Sequence, residues 1–560
     1  MSAKPTTTII LLLLTSALNP ALGWQHTPDA SEQLAAKHIN ESSLRGHIRY
    51  LADDLLEGRG PGSRGDQLAQ KYIAAQFESL GFEPAAPNGS FFQPVPLIGV
   101  TTHPPETIDF SSHKKDAPLR LDNLEDYVVT SGKPAKTTSI KSAEVVFVGY
   151  GNQAPEYDWD DYKEMDLKGK VLLMMNNDPS NAPDLFEGSR RLYYGRWDYK
   201  YEMAAKMGAV GAFIIHTTPS AGYPYQVVQT SWSGEQFELA SQKGPRTEMN
   251  GWLTKDASSR LAELGGFDLE ALLKQAESRE FQPIPLGVEL SMTLNCNVRK
   301  IDTANVLAKL PGSDPDLSDE VVIFMAHHDH IGMAETRDET GDNIYNGAVD
   351  NASGIGALLT VAQACESLPT PPKRTLLFAA VGAEEQGLLG SKHFASSPPL
   401  PPGKMAAVLN IDGVNIIGPT RDLNVIGLGK SSMDKVVEQI ATWQERVVVP
   451  DQFPDRGYYY RSDQFSLAKI GVPGVYTHSG IHVIGKPEGW GKAKLDEWTQ
   501  TRYHQTSDEY SDDWNLAGAV QDIRLLFYAG LATANRPELP RWTPGDEFEA
   551  ARLQALEEVK

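Results

Sequence analysis

Acidic and imidazole side chains recur in short clusters along the second half of this 560-residue chain. His327-His328-Asp329-His330 comes first, followed by Asp350-Asn351, Glu384-Glu385, Asp412 and, much later, Tyr503-His504. Carboxylates gathered in such number repel one another, and divalent cations are the natural resolution. A mixed set of imidazole and carboxylate ligands suits zinc better than magnesium or calcium, which prefer oxygen shells. Two ions fit such a set, with one bridging carboxylate plus one histidine and one acidic residue on each, and positions left open for water. Such pairs sit ~3.5–4 Å apart, activate water and clamp a tetrahedral intermediate. The chemistry this implies is metal-assisted hydrolysis.

These clusters need elements that bring them to one place. Val321–Ala326, Thr375–Val381 and Ala407–Ile411 are apolar runs that read as strands, and Ile355–Cys365 reads as a helix. Near-continuous apolar strands separated by helices predict a parallel sheet covered on both faces. In such sheets, functional residues lie just past the carboxyl ends of the strands, which is where the clusters fall. The expected fold class is α/β, with a mixed, largely parallel sheet sandwiched by helices. Residues 32–82 read as helical, with Leu68, Tyr72, Ile73, Phe77 and Leu80 at helix spacing and the turn-rich segment Gly58–Gly65 as a link. Residues 100–140 are polar and proline-scattered, and loops with short strands are expected there.

Between these parts lies a smaller α/β stretch. Its segments VVFVGYG (145–151), DLKGKVLLM (166–174) and KYEMAAKMGAVGAFII (200–215) resemble a protease-associated domain, a non-catalytic insert that covers a site or positions substrate. The motifs AHHDHIG, GAVDNASGIGALL, GAEEQGLLGS, LNIDGV, RSDQFSLAKIGVPG and YHQTSDEY, in that order, resemble the co-catalytic zinc aminopeptidase family, whose relatives include leucyl and vacuolar aminopeptidases and glutamate carboxypeptidase. The resemblance covers about 303–530, the helices at 32–82 and the insert. It implies that His327, Asp350 and Asp412 bind one zinc and that Asp350, Glu385 and His504 bind the other, with Asp350 bridging. It makes Glu384 the general base, Asp329 the residue that orients His327, and Tyr503 a hydrogen-bond donor to the developing oxyanion. Arg461 corresponds to a residue near the substrate's amino end, with a simple pairing to Asp463 as the alternative. In an extended segment His327 and Asp329 share a face and His328 points away, while the adjacent Glu384 and Glu385 diverge. His328 or His330 as ligands is the competing assignment; His393 and His478 read as ordinary histidines, and Asp463 as a loop-fixing residue.

The activity implied is an exopeptidase acting on peptides, foremost an aminopeptidase. The alternatives are a glutamate-carboxypeptidase-like enzyme and a receptor-like binding protein that has lost catalysis. The formal charge of −22 argues against nucleic acid or an anionic membrane as partner. Lys4, the apolar run Ile9–Leu14 and Ala21-Leu22-Gly23 read as a secretory signal cut before Trp24, giving an exported chain, periplasmic or extracellular, with no stable membrane insertion after cleavage. The expected organisation is a signal at 1–23, a first peptidase segment at 24–140, the insert at 141–295 and the catalytic domain at 296–560. Two cysteines, Cys296 and Cys365, are too few for a disulfide scaffold, and a bridge between them stays open.

Overall fold

The computed structural model describes residues 26–179 and 185–560; the signal-like segment 1–23 lies outside them. Val321–His327 pairs in parallel with Thr375–Val381 on one side and Met405–Asn410 on the other, and Met405–Asn410 pairs in parallel with Gly474–His478. Antiparallel neighbours extend this centre: Ile284–Leu310 beside Thr375–Val381, and Asp422–Ile426 beside Gly474–His478. The expected mixed sheet forms, and its parallel core is buried throughout. All seven residues of Val321–His327 are buried, as are all seven of Thr375–Val381.

Both faces of the sheet are covered, which is why these strands read as continuous apolar runs. Val322, Phe324 and Ala326 enter the core beneath helices Glu41–Leu51, Arg64–Ser79, Gly354–Glu366 and Ala517–Asn535. Val321, Ile323 and Met325 alternate to the opposite core, under Leu389–Ser396 and Gln464–Ala468. The N-terminal helical reading resolves into Ala30–Ala35, Glu41–Leu51 and Arg64–Ser79.

Residues 100–140 differ from expectation. They run in extended strands: the end of Phe92–His103, then Thr107–Ser112, Lys115–Asp122, Tyr127–Ser131 and the start of Thr137–Phe147. One or both faces of several are open to solvent, as in Lys115–Asp122, so their polar side chains mimic loop composition. They share a second core with Val171, Phe213, Leu253 and Leu290. In this unit Thr137–Phe147, Val171–Met175, Gly211–His216 and Met249–Thr254 are successive parallel neighbours.

The 27-residue strand Ile284–Leu310 belongs to both parts. Its first half pairs with Thr107–Ser112 and Thr137–Phe147, its second half with Phe92–His103, and its end with Thr375–Val381. Cys296 sits in the second core and Cys365 in the first; both are buried, free thiols. No helix among the described residues is long and apolar enough to cross a membrane.

Candidate metal centre

The carboxyl ends of the parallel strands meet at one rim. His327 closes its strand, Glu384 and Glu385 follow Thr375–Val381, and Asp412 follows Met405–Asn410. Asp350 and Asn351 precede helix Gly354–Glu366. Asn351 ties two of these loops together: its amide nitrogen donates to Ile411 O (3.0 Å), and its oxygen accepts from Gly413 N (2.9 Å) and Gly354 N (2.8 Å).

All five expected metal ligands converge. His327 Nε2 lies 3.3 Å from Asp350 Oδ1 and 3.4 Å from Asp412 Oδ1. His504 Nε2 lies 3.4 Å from Asp350 Oδ2 and 2.9 Å from Glu385 Oε2. The two oxygens of Asp350 therefore face different imidazoles. Ligand-capable atoms of His327, Glu384 and Asp412 lie within 4.8 Å of one another, as do those of His327, Asp350 and Glu385. The buried His504 Nε2 makes no hydrogen bond despite these close carboxylates. A donor set of two imidazoles and several carboxylates, with such an atom at its centre, fits divalent zinc.

The electrostatics follow from burial and crowding. Burial alone would depress the His327 imidazole, but the Glu384 charge and the Asp329, Asp350 and Asp412 carboxylates outweigh it and hold its pKa well above 6.5. His504 behaves alike: Glu385 and Asp350 overcome burial and raise it to about 9. Glu384 is pushed well above the usual glutamate range, first by burial and then by Glu385, Asp412 and Asp463, against an opposing pull from His327. Burial also raises Glu385, but His504 and His330 outweigh it and bring it down to about 2.

The remaining expectations fare differently. Asp329 faces His327 Nδ1 at 3.7 Å, beyond hydrogen-bond reach, and accepts instead from the backbone N–H of Glu384 (3.0 Å) and Glu385 (3.4 Å). His328 points away, as anticipated, with Nε2 3.1 Å from Ala304 O and Nδ1 3.4 Å from Asp66. His330 Nδ1 touches Glu385 Oε1 at 2.5 Å, the carboxylate oxygen other than the one facing His504. Arg461 does not pair with Asp463; its Nη2 donates to Tyr503 Oη (2.9 Å). Asp463 makes no cap bond to helix Gln464–Ala468, and its buried carboxylate adds to the repulsion on Glu384. His478 lines the cavity, and its Nε2 lies 2.6 Å from Tyr476 Oη, which reaches Asp412 Oδ2 at 3.4 Å.

Three further supports were not legible in the sequence. Asp508 accepts from the N–H of Val349 and of Asp350, each at 3.1 Å, and so fixes the backbone at Asp350. Arg59 is buried and donates to four carbonyls: Leu51, His328, Asn346 and Gly347. It clamps the loop after His327 to the loop before Asp350. Its position depends on Gly58 at φ +65°, where a Cβ would meet Gly332 O at 2.3 Å. Helix Tyr225–Trp232 of the smaller unit supplies the third, where Ser231 Oγ lies 2.9 Å from His504 Nδ1. The one available signal was the glycine-rich turn around Arg59.

A cavity of about 540 Å3 opens over Glu384 and Asp412, walled by Ile416, Phe453 and Trp498. A second, of about 300 Å3, lies between Trp197 and Trp232 and the loop Gln386–Leu389; both share Glu384, Arg461 and Tyr503.

Residues 305–528 match the model of peptidase family M28. Over this stretch the chain is similar to peptidase family M28. The chain is 26% identical over 213 residues to leupeptin-inactivating enzyme 1 of Streptomyces exfoliatus, covering 37% of this chain and 43% of that one. It is 28% identical over 228 residues to the probable leucine aminopeptidase 2 of Aspergillus fumigatus, covering 39% and 42%. The matched stretches span less than half the length of these curated relatives. The fold is that of the aminopeptidase from Aneurinibacillus sp. strain AM-1, with a TM-score of 0.53 at 19% identity over 91% of this chain and 97% of that one. In the stretch similar to family M28, the metal-suited cluster occupies the strand-end rim.

Proposed function

We propose that this protein is a two-zinc exopeptidase, foremost an aminopeptidase removing N-terminal residues from peptides. The observation that carries this reading is the division of Asp350, one oxygen toward His327 and the other toward His504. His327, Asp350 and Asp412 would hold one ion, and Asp350, Glu385 and His504 the other. Bound there, zinc would polarise the scissile carbonyl and make water more acidic.

Glu384 is the general base, accepting a proton from the attacking water and returning it to the leaving amine. Its raised proton affinity suits both transfers. Asp329 holds Glu384 and Glu385 by their backbone N–H groups. Tyr503 donates its hydroxyl hydrogen to the developing oxyanion, while Arg461 occupies a lone pair of that oxygen and fixes its direction. The smaller unit, including 141–295, acts as the substrate-positioning cover that its resemblance to a protease-associated domain implies. The aromatic contact of its Tyr223 with Arg461 supports that role. The first 23 residues support export.

A carboxypeptidase of acidic substrates is the second reading, favoured by Arg461. Among the described residues this half-buried guanidinium has no carboxylate at ion-pair distance, whereas Arg456 is paired with Asp496 at 2.6 Å. Assaying amino-acid p-nitroanilides against N-acetylated acidic dipeptides separates the two. Cleavage of the first class alone is expected, and turnover of the second alone would replace the aminopeptidase reading. Metal analysis of active protein should find two zinc ions per chain; full activity without zinc would overturn the site.

A further inference from the structure

His504 is held from outside its own segment. Its backbone takes the left-handed conformation, φ +55°, uncommon for a residue with a side chain. Two side chains of one helix turn meet it there. Thr230 Oγ1 lies 3.1 Å from His504 O, sharing its one hydrogen with the helix carbonyls of Gln226 and Val227, and Ser231 Oγ lies 2.9 Å from His504 Nδ1. Both belong to helix Tyr225–Trp232 of the smaller unit, 274 and 273 residues earlier in the chain. The helix end is itself tied down, because Gln236 Nε2 donates to Ser231 O at 3.0 Å from the neighbouring strand Glu235–Leu239.

The ring's other nitrogen, Nε2, faces Asp350 and Glu385. A histidine that ligates a metal through one nitrogen needs its other N–H occupied by an acceptor, which fixes the tautomer and the ring plane. Ser231 Oγ is placed to be that acceptor. The other imidazole of the site has no such partner, since His327 Nδ1 is buried without a hydrogen bond.

We infer that Ser231 and Thr230 are positioning residues for His504, so that the Asp350–Glu385–His504 half of the metal centre is completed by the smaller unit. The inference rests on the two-zinc reading and deepens it. It makes metal affinity unequal in origin. The His327–Asp412 half takes no contact from that helix, and the other half needs it docked.

Zinc itself is the probe, titrated into metal-stripped full-length protein against a chelator of known affinity. Ser231→Ala should weaken one of two zinc equivalents by about 10–100-fold and leave the other unchanged. Thr230→Val should weaken the same equivalent. Ser231→Thr, which keeps the hydroxyl, should restore it. A variant that merely unfolds the smaller unit would lose the pattern of rescue, and circular dichroism of each metal-free variant detects that directly. Wild-type affinity for both equivalents in Ser231→Ala and in the double variant overturns the inference while leaving the two-zinc reading intact. Wild-type protein that fails to bind two zinc ions overturns both.

Discussion

Asp329 Oδ1 accepts the backbone N–H of Glu384 at 3.0 Å, so the strand-end loop carrying the proposed base hangs from a carboxylate on the neighbouring strand end. Asp329 is fully buried, and its other oxygen takes the N–H of Glu385. One side chain therefore sets the backbone of both glutamates. Replacing it by alanine strands two buried donors, each worth about 1–3 kcal/mol. Asp329→Ala should lower the stability of metal-free protein by at least that of one donor, read from urea denaturation, and weaken zinc binding about 10–100-fold. Unchanged values in both measurements would refute the role.

Glu384→Gln should retain zinc and lose turnover by at least about 100-fold, the scale of general acid–base catalysis. Zinc content and kcat on the same preparation decide it. Activity near that of wild type would remove Glu384 from the mechanism.

Tyr503→Phe keeps the ring that lies 3.9 Å from the His504 ring and deletes only the hydroxyl. A drop in kcat of about 100-fold or more with little change in KM is expected for loss of an oxyanion donor. An effect confined to KM would assign Tyr503 to substrate binding.

The pH dependence has a defined sign. In metal-free folded protein His504 is raised to about 9 from an ordinary 6.5, so its protonated form stabilises the fold. That stabilisation is fully present below pH 6.5 and is lost as pH rises through about 9. Denaturant midpoints of stripped protein should fall across this window, and less so in His504→Gln. Zinc must displace the same proton, so its affinity should climb toward pH 9 with protons released to buffer, measurable by calorimetry in two buffers. Zinc affinity independent of pH would contradict the assignment of His504.

Arg59→Met would leave four carbonyls without their donor inside the protein. A loss of about 3 kcal/mol or more is expected in urea unfolding. A loss under about 1 kcal/mol would mean that the clamp carries no weight.

The central strands were readable because both faces are buried, so Thr375–Val381 appears as an unbroken apolar run with the same limits in sequence and structure. Lys115–Asp122 was not, because six of its eight positions are exposed and four of those carry charged side chains. The same division holds at the site. His327, Asp350, Glu385, Asp412 and His504 announce themselves by residue type at strand and helix ends. Ser231, Thr230 and Arg59 act chiefly on groups 269 to 288 residues away, and no local periodicity records a partner that far along the chain. The chain of contacts from His478 through Tyr476 to Asp412 was equally out of reach, because only the folded register creates it.

The 27-residue strand Ile284–Leu310 has a practical consequence. Because each stretch of it pairs with a different neighbour, any truncation point within 284–310 would expose raw strand edge on one fragment or both. The smaller unit cannot be excised as a soluble module by cutting at its C-terminal boundary, and fragments made that way are expected to aggregate.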